Sequence, residues 1–134
     1  MTAPRLNARS EAVKRQRIVQ DREDRIDLEI VVDAGNASER ARGWYDYLQG
    51  AVKFPFKARC VGQQASSPLK LGQEVQVLGL ADSEACAHEI KVTIQWATGA
   101  LAVPLSQLEG IEIADQPRQA IADWHYWVAR GYEY

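Results

Sequence analysis

The segment IKVTIQWATGALAVPL, residues 90–105, alternates apolar and polar side chains on either side of a short turn. Its first part places apolar residues at every second position, from Ile90 to Trp96. This period of two residues is typical of a half-buried strand. Ala97-Thr98-Gly99 is a tight turn, and residues 100–105 continue as a second strand. The segment therefore predicts an antiparallel β-hairpin.

Two more strands are predicted upstream, at residues 54–60 and 74–80, where apolar and polar side chains again alternate. A polar loop over residues 63–72 separates them, and Ser106-Gln107-Leu108 suggests one short 3₁₀ turn after the fourth strand. Four short strands with a tight third turn and this 3₁₀ turn predict a small SH3-like antiparallel β-barrel or meander.

Helices are predicted on both sides of these strands. A charged helix covers about residues 10–34, with Gly35 as its stop, and a second covers about residues 37–49 behind a capping box formed by Asn36 and Glu39. A third helix follows Asp115, which we expect to be its N-cap, and ends at Gly131. The predicted fold class is α+β, with N-terminal helices and a C-terminal helix flanking the barrel.

The apolar stripes of the last two helices contain Trp44 and Trp124, which we expect in the core rather than at a ligand. Tyr134 belongs to an aromatic tail, residues 132–134, that we expect to dock on the body. Residues 1–25 carry seven basic and four acidic side chains. They predict a charged, partly helical extension that is dispensable for folding, and residues 26–134 then form one α+β domain.

Composition limits the classes of function. The chain has 134 residues with a formal charge of −2, which suits one domain and gives no strong field toward nucleic acid or a membrane surface. We see no signal peptide and no apolar run of about 18 residues, so a cytoplasmic location is expected. No phosphate-binding loop, dinucleotide fingerprint or hydrolase motif is present. We therefore expect no enzyme.

The sharpest local cluster of candidate ligands is the acidic loop, residues 82–89, with the sequence DSEACAHE. Calcium prefers several oxygen ligands, and Asp82, Glu84 and Glu89 lie within eight residues of each other. The spacing is not that of an EF-hand. The alternative is a solvated acidic loop between two strands. A zinc-stabilised domain through Cys60, Cys86 and His88 is a third interpretation, although no fourth ligand is evident.

Seven strings of the sequence, in order, resemble the cyanobacterial calcium-binding protein CcbP family, whose members bind calcium without an EF-hand. They are EIVVDA (29–34), GWYDYL (43–48), FPFKARC (54–60), SPLKLGQEVQVLGLA (67–81), CAHEIKVTIQW (86–96), LAVPLSQLEGI (101–111) and QAIADWHYWVARGYEY (119–134). The resemblance implies a small calcium-binding protein of bacterial type, linked to signalling.

The resemblance also implies which residues bind the ion. These are Asp82, Glu84 and Glu89 of the acidic loop, with Asp46 of GWYDYL as a further ligand. Family members carry acidic residues near positions 37–38 and 49–50, where this sequence has uncharged residues. Because ligand charge raises calcium affinity, weaker binding is expected here.

Two functions therefore remain open at the level of sequence. The first is a cytosolic calcium buffer or regulator that uses loop carboxylates. The second is an SH3-like protein-interaction module that has lost metal binding. The expected partners are the calcium ion and an unidentified protein, without nucleic acid or membrane.

Overall fold

The computed structural model describes residues 3–131 and 134, with side chains described for residues 10–131 and 134. Of the predicted aromatic tail, Tyr132 and Glu133 lie outside the described residues. The fold is α+β, as predicted. In chain order its elements are α1 (Ala3–Arg25), a turn of π-helix (Ile26–Ile30), α2 (Ala37–Ala51), β1 (Phe56–Cys60), β2 (Glu74–Leu80), β3 (Lys91–Trp96), β4 (Gly99–Pro104), a 3₁₀ turn (Leu105–Gln107), β5 (Leu108–Gly110) and α3 (Asp115–Ala129).

The five strands form one antiparallel sheet in the order β4-β3-β2-β1-β5. The predicted hairpin is present, because Trp96 pairs with Gly99 across a two-residue turn. A fifth strand, which we did not predict, pairs with β1 through Cys60 and Leu108. It has only three residues, too few for an alternating pattern to be visible in the sequence.

The sheet is open, and the predicted SH3-like barrel is not confirmed. Over the described strands, β4 and β5 are the two edges and do not pair with each other. Strand number and spacing indicate the order of strands in a meander, but closure also depends on strand tilt and stagger. Strand β5 is limited to three residues, and helices α2 and α3 add buried residues to the core beside the sheet.

The core lies between one face of the sheet and these two helices. Alternate strand residues such as Ala58, Val77 and Ile94 are fully buried. Trp44 of α2 and Trp124 of α3 are also fully buried, and their rings meet edge to face with centroids 5.1 Å apart. Such pairs contribute about 0.5–1.5 kcal/mol beyond the area that they bury. The prediction that both tryptophans are core residues is confirmed.

The first predicted helix has a different end from the one expected. Its α-helical part ends at Arg25, and a π turn follows in which the Val31 N–H donates to the Ile26 carbonyl over 2.9 Å. The turn buries Ile26 and Ile30. The chain leaves it through Asp33, which has a φ of 59°, so the predicted stop at Gly35 was wrong.

Gly43 of α2 packs against the backbone of the π turn. A Cβ built at this position would lie 2.1 Å from the carbonyl oxygen of Ile30, so only glycine permits this approach of the two backbones. The Asn36 cap of α2 is confirmed, since its Oδ1 accepts from the Glu39 N–H over 2.9 Å. The predicted cap of α3 was wrong, because Asp115 is already helical and Ala114 takes the N-cap position.

A buried carboxylate joins the three helices. Asp123 of α3 is fully buried and accepts hydrogen bonds from Arg22, Arg25 and the Tyr47 hydroxyl, at 2.7–3.0 Å. The hydrogen bond to Asp123 raises the pKa of Arg25 above its ordinary value. Arg22 lies on the extension side of the domain boundary predicted at residue 25, so the last turn of α1 contacts the core through this cluster.

Candidate metal site

The acidic loop connects β2 to β3 and folds into a compact turn. The Cys86 N–H donates to the Asp82 carbonyl over 3.1 Å, and the Ala87 N–H donates to the Glu84 carbonyl over 3.2 Å. Asp82 also caps this turn, because its Oδ1 accepts from the Ala85 N–H over 2.9 Å. Aspartate often bonds its own backbone in this way, so the sequence itself favours the turn.

Two tyrosines attach the loop to the core. The Tyr45 hydroxyl of α2 donates to the Ala81 carbonyl over 3.0 Å, and the Tyr134 hydroxyl donates to the Cys86 carbonyl. Tyr134 is buried, which confirms that this residue of the aromatic tail docks. The Cys86 thiol is buried beneath the loop, where it accepts from the Lys91 N–H over 3.3 Å. The base of the loop is thus fixed, while its acidic side chains lie outside.

The four predicted metal ligands occupy different environments. Asp82 and Glu84 are exposed on the loop, and Glu89 is half-buried. Burial raises the pKa of Cys86 and of Tyr134, and the charge of Glu89 raises both further. Asp46 lies on α2 rather than on the loop.

A cleft of about 700 Å³ separates α2 from the acidic loop. Asp46 lines its helical side, and Ser83 and His88 line its loop side. Burial raises the pKa of the Tyr45 hydroxyl, and the charges of Cys86, Asp82 and Asp46 raise it further. Asp46 lines this α2–loop cleft with Tyr45, whereas Asp82 lies next to the cleft residue Ser83.

The four predicted carboxylates do not form a cage in this structure. Among the described side chains, no group of three or more His, Cys, Asp or Glu residues is arranged to hold a metal ion. Asp46 Oδ2 instead accepts from Arg42 Nε over 3.3 Å. The donor chemistry fits a hard cation, because carboxylate oxygens are what calcium prefers. Binding would require the exposed side chains to rotate toward one point.

The zinc interpretation was wrong for this structure. Cys60 is buried on β1, where its thiol donates to the Gly62 carbonyl over 3.2 Å. Cys86 is buried at the base of the acidic loop, and His88 is exposed on the cleft wall. Within the part of the chain that is described, the three do not form a ligand cluster. Burial also raises the pKa of the Cys86 thiol, whereas zinc binds the thiolate.

Sequence reasoning missed the two tyrosines that support the loop. Tyr45 lies on the apolar stripe of α2, and a tyrosine on such a stripe usually finds a partner for its hydroxyl. The partner could not be identified, because Tyr45 and Ala81 are 36 residues apart and Tyr134 and Cys86 are 48 apart.

None of the helices in the described range is long and apolar enough to cross a membrane.

A search among curated proteins finds no match. Two solved structures are similar to this chain: the crystal structure of Anabaena CcbP, and a calcium binding protein in the calcium-binding form. Each is 37% identical, with a TM-score of 0.75, and each match covers 86% of this chain and 94% of the other. The family model of CcbP, described as calcium binding, matches residues 24–128. This chain belongs to the CcbP family of calcium-binding proteins.

Proposed function

We propose that this protein binds calcium at the acidic loop, beside the α2–loop cleft, with Asp82, Glu84 and Glu89 supplied by the loop and Asp46 by α2. The observation that carries the proposal is that Asp46 of α2 lines one cleft together with Ser83, the loop residue between Asp82 and Glu84. The shared effect of Asp82 and Asp46 on Tyr45 supports their proximity. The solved relative in the calcium-binding form supports the identity of the ion.

The arrangement favours binding in the micromolar range or weaker. Calcium competes with Arg42 for Asp46 and with the Ala85 N–H for Asp82. Ala37 and Ser38, at positions where family members are expected to be acidic, line the same cleft. Fewer carboxylates around the ion lower its affinity.

A site of this affinity suits a cytosolic calcium buffer or regulator without enzymatic activity. Calcium sensors commonly bind in the range of about 10⁻⁷–10⁻⁵ M, so affinity alone does not separate a regulator from a buffer. The distinction is whether calcium changes the surface that a partner protein would contact. The acidic loop and α2 are the elements whose relative position the ion would alter.

The second candidate is a protein-interaction module that no longer holds metal. It is favoured by Ala37, Ala41 and Ala87, which make part of the α2–loop cleft apolar. This function requires the cleft to bind a protein segment in the absence of calcium. The calcium titration described next separates the two candidates.

The test is isothermal titration calorimetry of protein freed of metal by a chelator, first with calcium and then with zinc. We expect calcium heat in the wild type and its loss in the double variant Asp82→Asn, Glu84→Gln. The matched control is Asp115→Asn, which removes an exposed carboxylate from the first turn of α3. No calcium heat in the wild type would favour the interaction module. Unchanged heat in the double variant would place the ion elsewhere.

A further inference from the structure

We propose that Tyr45 and Tyr134 are positioning residues that set the calcium affinity of the acidic loop by holding both ends of its turn, Ala81 and Cys86, to the core. This inference rests on the function proposed above and deepens it. Neither residue would touch the ion. Each would act through the backbone that presents Asp82 and Glu84.

The two tyrosine hydroxyls donate to backbone carbonyls at the two ends of the turn in the acidic loop. Ala81 immediately precedes Asp82, and Cys86 closes the turn that starts at Asp82. Tyr45 donates to the carbonyl at the first end, and Tyr134 donates to the carbonyl at the second. The segment between them, residues 82–85, contains two of the proposed ligands.

Both tyrosines are themselves anchored in the core. Tyr45 belongs to α2, next to the buried Trp44 and three residues before the buried Leu48. The Tyr134 ring packs on the buried ring of Trp124, with centroids 5.7 Å apart, and only 7% of the residue is exposed. The loop is therefore attached to two different helices, α2 directly and α3 through the aromatic contact.

This attachment bears on affinity because an ion must order the segment that binds it. A turn whose ends are already held loses less conformational freedom on binding than a free one. Tyr45 also lines the α2–loop cleft, so its hydrogen bond joins α2 directly to the start of the loop. Removing either hydroxyl should loosen the loop while leaving every carboxylate in place.

The experiment compares three tyrosine-to-phenylalanine variants by calcium calorimetry, at a temperature well below their melting points. Tyr45→Phe and Tyr134→Phe each remove a hydroxyl that supports the loop and keep the ring. The control Tyr126→Phe removes a hydroxyl of α3 that bonds Glu23 of α1 and not the acidic loop. We expect the dissociation constant to rise about three- to tenfold in each of the first two variants, as the loss of one hydrogen bond implies. The control should bind like the wild type.

The calcium ligand variant distinguishes failure of this inference from failure of the proposed function. If Asp82→Asn, Glu84→Gln abolishes binding while Tyr45→Phe and Tyr134→Phe bind like the wild type, the positioning role is wrong and the site stands. If the wild type does not bind calcium, or the ligand variant binds normally, both are wrong. An equal loss in Tyr126→Phe would show a general effect of stability and overturn the inference. If Tyr134→Phe does not fold, Tyr45→Phe decides.

Discussion

Replacing Asp123 by Asn is the sharpest test of how this fold is held together. The carboxylate is fully buried, and its two oxygens accept hydrogen bonds from Arg22, Arg25 and Tyr47. Asparagine keeps the shape, so no cavity is created. It removes the charge and turns an amide group toward two guanidinium groups.

The size of the effect follows from the exposure of the partners. Removing one member of a buried ion pair typically costs about 3–5 kcal/mol, because the other charge is left uncompensated. Here the side chains of Arg22 and Arg25 are 23% and 18% exposed, so both can partly reach water. We therefore expect a loss of about 3 kcal/mol, at the lower end of that range. For a chain of this length the melting temperature should fall by roughly 10 °C.

The assay is urea denaturation of calcium-free protein, followed by the fluorescence of the buried tryptophans. The matched control is Asp46→Asn, because Asp46 pairs with Arg42 on a helix surface where both side chains are mostly exposed. Such pairs contribute about 0.3–0.5 kcal/mol, so the control should unfold almost like the wild type. An Asp123→Asn protein within 1 kcal/mol of wild type would refute the view that this cluster stabilises the packing of the helices.

Three further predictions concern α1 and α2. Gly43→Ala should lower stability by more than 2 kcal/mol because its Cβ meets a backbone carbonyl, whereas Gly50→Ala, in open space on the same helix, should raise it by about 0.5–1 kcal/mol in urea denaturation. A chain that begins at Gln20 should melt like the full chain. A chain that begins at Arg25 lacks Arg22, a partner of the buried Asp123, and its free energy of unfolding should fall by about 1–3 kcal/mol. Equal melting temperatures of the two chains would support a fully dispensable extension. Burial and, after it, the charge of Asp123 raise the pKa of Tyr47 to about 12. The stability that the protonated hydroxyl contributes below pH 10 should therefore disappear as the pH rises from about 10 to 12. Tyr47→Phe should flatten this loss of stability, and an alkaline stability profile unchanged by the substitution would contradict the prediction.

The strands with long alternating patterns were predicted from the sequence because period two records which face of a strand is buried. The predicted strand at residues 74–80 coincides with β2, and its alternation is the observed burial pattern. The three residues of β5 are too short for such a record. The open edges of the sheet depend on tilt and stagger, which no local pattern contains.

The π turn shows a different limit. The spacing of Ile26 and Ile30 identified the buried face, but the π turn packs against Gly43, which lies well outside that segment. The extension was judged too polar to contribute, because a local pattern does not show that Arg22 meets a buried Asp123 across 101 residues. The π turn and the structural role of Arg22 therefore depend on contacts between distant parts of the chain, which local composition does not show.

The candidate site likewise has features that the sequence shows and features that depend on the tertiary structure. The acidic loop was visible as local carboxylate density, and Asp46 came from the resemblance to a family. That Asp46 faces this loop across one cleft is a tertiary property. So are the hydroxyls of Tyr45 and Tyr134, since their partners are carbonyls that no residue type identifies.

The central claim is that calcium binds at the acidic loop, and a calcium titration followed by amide NMR chemical shifts tests it most directly. The Ala85 N–H bonds Asp82 Oδ1, so it should report at once when that carboxylate turns toward an ion. We predict the largest shifts at Ala85 and Cys86, with a smaller shift at Asp46. Shifts concentrated in the groove between the π turn and α2, at Glu29 and Glu39, with an unchanged Ala85, would contradict the account.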